Sequence, residues 1–359
     1  MSAPRSVRAS FFLHLHPERV RERTLSPQTT LGLGVIAITL LGVLLLTGLA
    51  LMFWYVPTPT GAYDRVVDLS AGALPLGGLF RDLHRLASDA LVVVVSLHLA
   101  RVFLTGALGP GRRLNWIVGL GLLLMVVATA FTGFLLPWDR RAYWAATVGG
   151  ELLALFPAIG HPLRSLLWGG DVVGADTVLR AFAFHVAALP VAGTVLLGYH
   201  LWRIRKAGGL ARPPTPTGEP GEVGLGRLVS TRPAVTMREL TLAMVTTAAL
   251  LVAAMLWDAP LGLPGHPPQP LDPAKAPWFL LWVQELVSYA SWLGALVPSL
   301  LFALLLAAPL FERDPDQEGV WFAASRRTRC VVFLVLLAAV VALTVVGAEL
   351  RGPGWRLEL

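Results

Sequence analysis

The chain has 359 residues, a net charge of +7, and a composition that is 55% hydrophobic and only 14% charged. Soluble domains carry about 25% charged residues, so these values exclude an ordinary water-soluble globule and a disordered chain. The one cysteine, Cys330, excludes an internal disulfide, a cysteine-ligated iron–sulfur cluster, a zinc–thiolate site and a CxxCH attachment within this chain. In so apolar a chain the basic excess points to membrane topology and to no nucleic-acid partner.

Residues 1–30 are polar and basic, lack the apolar core of a secretory signal, and read as a cytoplasmic segment. Seven stretches are apolar enough and, at roughly 20 residues, long enough to cross a bilayer: 31–55, 85–105, 115–136, 180–202, 238–257, 289–311 and 330–348. The expected fold class is all-α, a polytopic protein of seven transmembrane helices. Between the third and fourth spans, 148–157 is apolar on one side and too short to cross, as an interfacial helix would be. The loop 203–237 is dense in Pro and Gly. It divides the chain into a four-helix unit over 31–205, a cytoplasmic linker over 206–237, a three-helix unit over 238–350 and a tail over 351–359. The N-terminal segment and the loops after the second, fourth and sixth spans hold 18 Lys and Arg, against 9 in the opposite segments. That bias puts the N-terminus in the cytoplasm and the C-terminus outside. The second and fourth spans then run in the same direction.

Those two spans each carry two histidines. His84 and His98 are 14 residues apart, and His185 and His200 are 15 apart. At about 100° per residue, 14 steps fall about 40° short of four turns and 15 steps pass them by about 60°. Each pair therefore shares a helix face, with its members about 21–22 Å apart along the axis. Parallel helices put His84 at the depth of His185 near the outer surface, and His98 at the depth of His200 near the inner one. Two facing imidazoles at each of two depths suit two metal macrocycles stacked across the bilayer. A satisfied core histidine is the rival reading for any one of them, and it weakens when four share matched spacing. His14, His16, His161 and His266 lie outside the spans and read as surface residues.

Gly34 and Gly48 in the first span, and Gly119 and Gly133 in the third, repeat the 14-residue period. Glycine lets a flat ring approach a backbone closely, though small residues also serve helix packing in membranes. Arg81, Arg85, Arg101 and Arg203 flank the histidines. They suit carboxylate side groups of a macrocycle, and snorkelling at helix ends is the alternative.

These residues resemble cytochrome b of the quinol–cytochrome c reductases. RDLHRL and SLHLARVFLTG look like its second helix, GFLLPWDRRAYWAATV like the end of the third helix and the surface helix after it, and FHVAALP and GYHLWRIRK like the fourth. The likeness covers about 30–210. PWD and the 14/15 spacing are closer to the plastid-type branch. The three helices after the linker look like that branch's subunit IV, here fused, and KAPWF and QEL are similar to menaquinol-oxidising bacterial forms.

The resemblance implies two non-covalent b-type haems, the outer held by His84 and His185 and the inner by His98 and His200. It implies quinol oxidation at an outer site lined by Pro137, Trp138, Tyr143, Trp144, Trp278 and Phe279, and quinone reduction at an inner site with Arg205, Lys206 and Glu239. The partners implied are a Rieske iron–sulfur protein, a c-type cytochrome subunit and quinone (menaquinone or a relative), in a homodimeric, proton-translocating complex of the bacterial plasma membrane. Two positions depart from the family. Ala276-Pro277-Trp278-Phe279 stands where Pro-Glu-Trp-Tyr is usual, so the glutamate is missing. Glu285 is the expected substitute as proton acceptor, with Glu151 second. Gly32 stands where the plastid branch tethers a further haem through cysteine, so no covalent haem is expected. The rival functions are a dihaem anchor for another quinone-linked enzyme without a Rieske partner, and a transporter whose histidines relay protons.

Overall fold

The computed structural model describes residues 19–21, 30–72, 76–156, 158–170, 172–207, 209–210, 228–230, 233–265, 272–312 and 318–358. His14, His16, His266 and most of the 206–237 linker lie outside these. Twelve α-helices occur among the described residues: α1 Leu33–Met52, α2 Pro59–Ser70, α3 Gly77–Leu104, α4 Arg113–Leu135, α5 Arg140–Ala154, α6 Gly160–Trp168, α7 Ala175–Ala183, α8 Leu189–Lys206, α9 Ala234–Leu256, α10 Leu281–Tyr289, α11 Leu293–Phe311 and α12 Arg327–Glu349. Helices α7 and α8 are joined by a π turn, Phe184–Ala188, into one rod. Among the described residues seven rods are long and apolar enough to cross a membrane, as expected. The fold is all-α and polytopic, apart from a short antiparallel ribbon in which β1 (Arg19–Arg21) pairs with β2 (Leu228–Ser230).

Two rods start earlier than hydropathy suggests. Helix α3 begins at Gly77 because its polar first turns are satisfied from outside the helix. Arg81 donates to the carbonyls of Ala259 and Pro260 at 2.6 and 2.8 Å, and the Ala259 amide donates to Asp82 at 2.7 Å. The α7–α8 rod begins at Ala175. Helix α2 was not expected from the sequence. Its signal is local: Thr58 accepts from the Gly61 amide at 3.2 Å as N-cap, Pro59 fits the first turn, and Ala62, Val66 and Leu69 form one buried stripe. The interfacial segment expected near 148–157 is the end of α5, whose N-cap Asp139 accepts from the Ala142 amide at 2.9 Å.

Helices α1, α3, α4 and α7–α8 form the N-terminal bundle, with α1 packed on α3 and α8 on α4. Leu40, Leu83, Ala87 and Leu91 pack with Leu250 and Ala254 of α9, which joins the second half of the chain to the first. Trp116 of α4 adds a hydrogen bond to the Leu305 carbonyl of α11 at 2.7 Å. Leu46, Val195 and Met255 are 73%, 70% and 79% exposed, which would be unfavourable in water and suits helices solvated by lipid. The ends of α11 and α12 are clasped by a buried ion pair, Arg326–Glu312, at 2.9 Å.

Candidate functional site

A cavity of about 1960 Å³ runs between the helices of the N-terminal bundle, lined by His84, His98, His185 and His200 together with Gly34, Gly48, Gly119 and Gly133. A site for one small organic ligand is about 300–1,000 Å³, so this space admits more than one such group. The structure thus brings all eight residues of the repeating pattern to one cavity. His84 and His185 face each other with ring centres 6.0 Å apart and planes at 73°. Two imidazoles sharing one metal through bonds of about 2 Å stand with centres roughly 6 Å apart. His98 and His200 lie within electrostatic reach of each other deeper along the same rods.

The π turn explains the unequal spacing. His185 lies within it. A π turn takes up one extra residue, so fifteen residues here do the work of fourteen α-helical steps. The phase between His185 and His200 is then about 40° short of four turns, as for His84 and His98, rather than about 60° past them. Pro190, at the second position of α8, has no amide proton to close a regular helical bond in this stretch.

Hydrogen bonding sets the tautomer of the outer pair. Thr47 donates its hydroxyl proton to the Val43 carbonyl at 2.8 Å, so its oxygen accepts from His84 Nδ1 at 2.9 Å. His185 Nδ1 donates to the Thr129 carbonyl at 2.9 Å, with Thr132 Oγ1 3.5 Å away. A neutral imidazole that donates from Nδ1 keeps its lone pair on Nε2. Both outer rings therefore present an unprotonated Nε2, held in orientation by Thr47, Thr129 and Thr132. The sequence held a signal for this: both outer glycines follow a threonine, Thr47-Gly48 and Thr132-Gly133, and neither inner glycine does. Nδ1 of His98 is buried with no hydrogen-bond partner.

The glycines make room mainly for the imidazoles themselves. A Cβ on Gly133 would sit 2.5 Å from His185 Cε1, one on Gly48 3.1 Å from His84 Cε1, and one on Gly119 3.4 Å from His200 Cε1. Gly34 faces open space. The donor set, the ring separation and these cradles fit a bis-imidazole metal macrocycle at the outer pair, and the inner pair lines the same cavity.

The flanking arginines divide. Arg85 and Arg101 line the cavity. Arg85 also pairs with Asp89 at 2.9 Å, and its guanidinium stands 6.0 Å from the centre of the Phe134 ring. Arg81 reaches the cavity, but its guanidinium is committed to the carbonyls of Ala259 and Pro260. Arg203 does not line the cavity, whereas Arg205, one residue beyond Ile204, does. Arg112 and Arg141 also line it, and neither stood out in the sequence.

The outer aromatic residues form two groups. Trp138 is 1% exposed, packs with Ala62 and Val178, and meets Tyr143 edge-on at 6.0 Å. Tyr143 meets Trp144 at 5.6 Å. Trp138 is thus a core residue, held at φ +49° while its carbonyl accepts from the Gly265 amide at 3.0 Å. Of the expected pocket residues, Pro137 lines the cavity. Asp139 lines it too and accepts from the Gly262 amide at 2.9 Å, which docks the loop after α9 onto the start of α5. In the second group Trp278 meets Phe279 at 5.8 Å and donates its indole proton to Asp89 at 2.8 Å.

The expectation for Glu285 needs correction. Its carboxylate is buried and receives hydrogen bonds from Arg351, from Tyr289 at 2.8 Å and from Trp355 at 3.0 Å. Burial alone would raise its pKa, but the bonds from Arg351, Tyr289 and Trp355 outweigh that and hold it below the usual carboxylate range. Its two oxygens are occupied by these three side chains and so are committed within the protein. Glu151 pairs with Arg164 at 3.0 Å with its own side chain 65% exposed. At the inner end Arg205, Arg238 and Glu239 line the cavity, while Lys206 lies over the Trp202 ring at 4.8 Å and outside the lining.

The cytochrome b/b6/petB family model matches residues 23–208. Cytochrome b6 of Heliomicrobium gestii is 36% identical over 163 residues, which is 45% of this chain and 76% of that protein. Cytochrome b6 of Synechocystis is 36% identical over 176 residues, 49% of this chain and 79% of that protein. Among solved structures, a chain of a hyperthermophilic respiratory Complex III matches with a TM-score of 0.76 at 24% identity, over 93% of this chain and 86% of that one. That likeness is one of fold, and it extends across the three C-terminal rods that the family match leaves out.

Proposed function

The chain belongs to the cytochrome b family, and from that premise we propose that it is the membrane subunit of a bc-type complex, oxidising quinol at an outer site and delivering electrons across the bilayer to an inner quinone site. The observation that carries this is the outer histidine pair, with His84 and His185 6.0 Å apart and Nδ1 of each already bonded. The b-type haems that the family implies, one for each pair, supply one-electron carriage along the rods when bound.

The chain's own residues do the rest. His84 and His185 hold the outer group, and His98 and His200 the inner one. Arg85 and Arg101 offset anionic side groups in the cavity, a role in which Arg205 replaces Arg203 on the ground of where each points. Trp278 and Phe279 on one side and Pro137, Tyr143 and Trp144 on the other bound the outer substrate region. Arg205, Arg238 and Glu239 bring charge to the inner mouth, where quinone reduction takes up protons, and Lys206 serves that mouth from its rim. Gly32, at φ +66° and with its Cβ position 2.5 Å from Leu242 Cδ2, suits close packing of α1 on α9 in place of a thiol tether.

With one cysteine, the chain leaves the second electron acceptor to a separate Rieske iron–sulfur protein, and a c-type cytochrome follows it. The complex is a proton-translocating homodimer in a bacterial plasma membrane, with the N-terminus and the 206–237 linker cytoplasmic and menaquinol or a relative as substrate. Residues 31–205 form the dihaem unit and 238–350 the subunit IV-like unit. Purification of the intact complex tests this. The expected result is a Rieske chain, b-type absorption reduced by quinol, and quinol–cytochrome c activity. A dehydrogenase partner in place of the Rieske chain, or no b-type absorption, overturns it.

A further inference from the structure

We propose that Asp89 is the carboxylate that takes the proton from quinol at the outer site, in the place left by Pro277. The proposal rests on the quinol-oxidising reading of that site. Asp89 lies five residues inward of His84, inside the second membrane rod. A charged group there is costly unless it has a use. One oxygen is held from its own helix and the other from the loop: Oδ2 accepts from Arg85 Nε at 2.9 Å and Oδ1 from Trp278 Nε1 at 2.8 Å. Trp278 directly follows Pro277, so the helix facing the loop brings a carboxylate to the residue beside the one where the family's glutamate is missing.

The three candidate carboxylates differ in what their oxygens have left to do. Glu285 is sealed and takes bonds from three side chains. Glu151 pairs with Arg164 at the surface. Asp89 has two bonds, and its side chain is 30% exposed. A carboxylate has about four lone-pair positions, so it retains capacity for a substrate hydroxyl. Few other charges face it. The basic partner is Arg85 on its own helix, and the loop offers the neutral Trp278, while its Lys275 bonds the Ala348 carbonyl. Helix α1 has no charged residue, and the outer halves of α4 and α9 have none. Helix α2 brings Asp64 and the Arg65–Asp68 pair, which bond each other at 3.3 Å.

The step is a proton transfer. A quinol O–H bond breaks, an O–H bond forms on Asp89, and the electron pair stays on the quinol oxygen. No redox change occurs in it. Asp89 then releases the proton to the outer solvent and regains its charge beside Arg85.

Asp89→Asn and Asp89→Glu in the intact complex test this. Asn keeps an oxygen to accept from Trp278 and loses the basicity. The expected result for Asp89→Asn is unchanged haem content and spectrum, quinol oxidation lower by roughly 100-fold or more, and loss of the acid-side fall in the pH profile of kcat/KM. Asp89→Glu recovers activity and restores that limb. Asp89→Asn with a rate within about twofold of wild type and the same profile overturns the proposal, and so does loss of a haem in that variant, which would make Asp89 structural. If the wild-type complex itself does not oxidise quinol, the functional reading fails first, and the two failures are told apart without the variants.

Discussion

Thr47 and His84, on different helices, share a 2.9 Å hydrogen bond in which the imidazole Nδ1 donates and the hydroxyl oxygen accepts. Because the hydroxyl proton goes to Val43, this bond leaves Nε2 of His84 as the coordinating nitrogen. Thr47→Val removes the acceptor and keeps the shape. Loss of such a supporting partner typically costs about 10–100-fold in metal affinity. The variant should lose outer haem on purification and retain the inner one, as measured by difference spectra and haem analysis. Equal retention of both would show that Thr47 does not orient the ligand.

Gly133→Ala should act on the same haem by a steric route. Its Cβ would stand 2.5 Å from His185 Cε1, so the ring must leave its present position. Gly42, in α1, has nothing within 4 Å of its Cβ position and does not line the cavity. Gly42→Ala should leave the haem content intact and, by helix propensity, stabilise by about 0.5–1 kcal/mol. The paired variants separate a cradle from a general intolerance of added bulk.

The histidines should fall in pairs. Substituting His84 or His185 by Ala removes the outer haem, and substituting His98 or His200 removes the inner one. Spectra of the four variants should group that way. A variant from one rod that disturbs the partner of the wrong depth would contradict the register set by the π turn.

Glu285 governs stability as a function of pH. Its folded pKa lies below the unfolded value, with burial opposing and the Arg351, Tyr289 and Trp355 bonds producing the shift. The pairing is therefore complete above the unfolded carboxylate pKa of about 4.3 and is lost as pH falls through the lower folded value. The neighbouring Tyr289 phenol is raised by its bond to Glu285. Glu285→Gln should lower the melting temperature by several degrees at neutral pH, and the gap to wild type should close in acid. A constant gap across that range would show that the charge is not the stabilising element.

The bundle was legible because lipid demands long apolar rods and because ionisable residues inside them stand out. That logic located all four histidines. It missed what depends on local chemistry. The unequal spacing of His185 and His200 concealed a π turn, which residue counting at a fixed angle cannot register. Helix α2 is amphipathic and short, so it vanished beside the apolar spans although Thr58 and Pro59 mark its start. Arg81 and Arg203 have the right positions in sequence, but Arg81 is committed to loop carbonyls and Arg203 lies outside the cavity lining. Glu285 read as available because Arg351 and Trp355, which occupy it, lie more than sixty residues away in the chain. Asp89 drew no notice because its partner Trp278 is nearly two hundred residues distant.

The central claim concerns how many haems one chain holds and where. Haem quantification on the purified, folded complex, combined with a redox titration of its b-type absorption, measures this directly. The account predicts two haems per chain titrating as two separable components, one abolished by His84→Ala and the other by His98→Ala. A single haem per chain, or none, would contradict it.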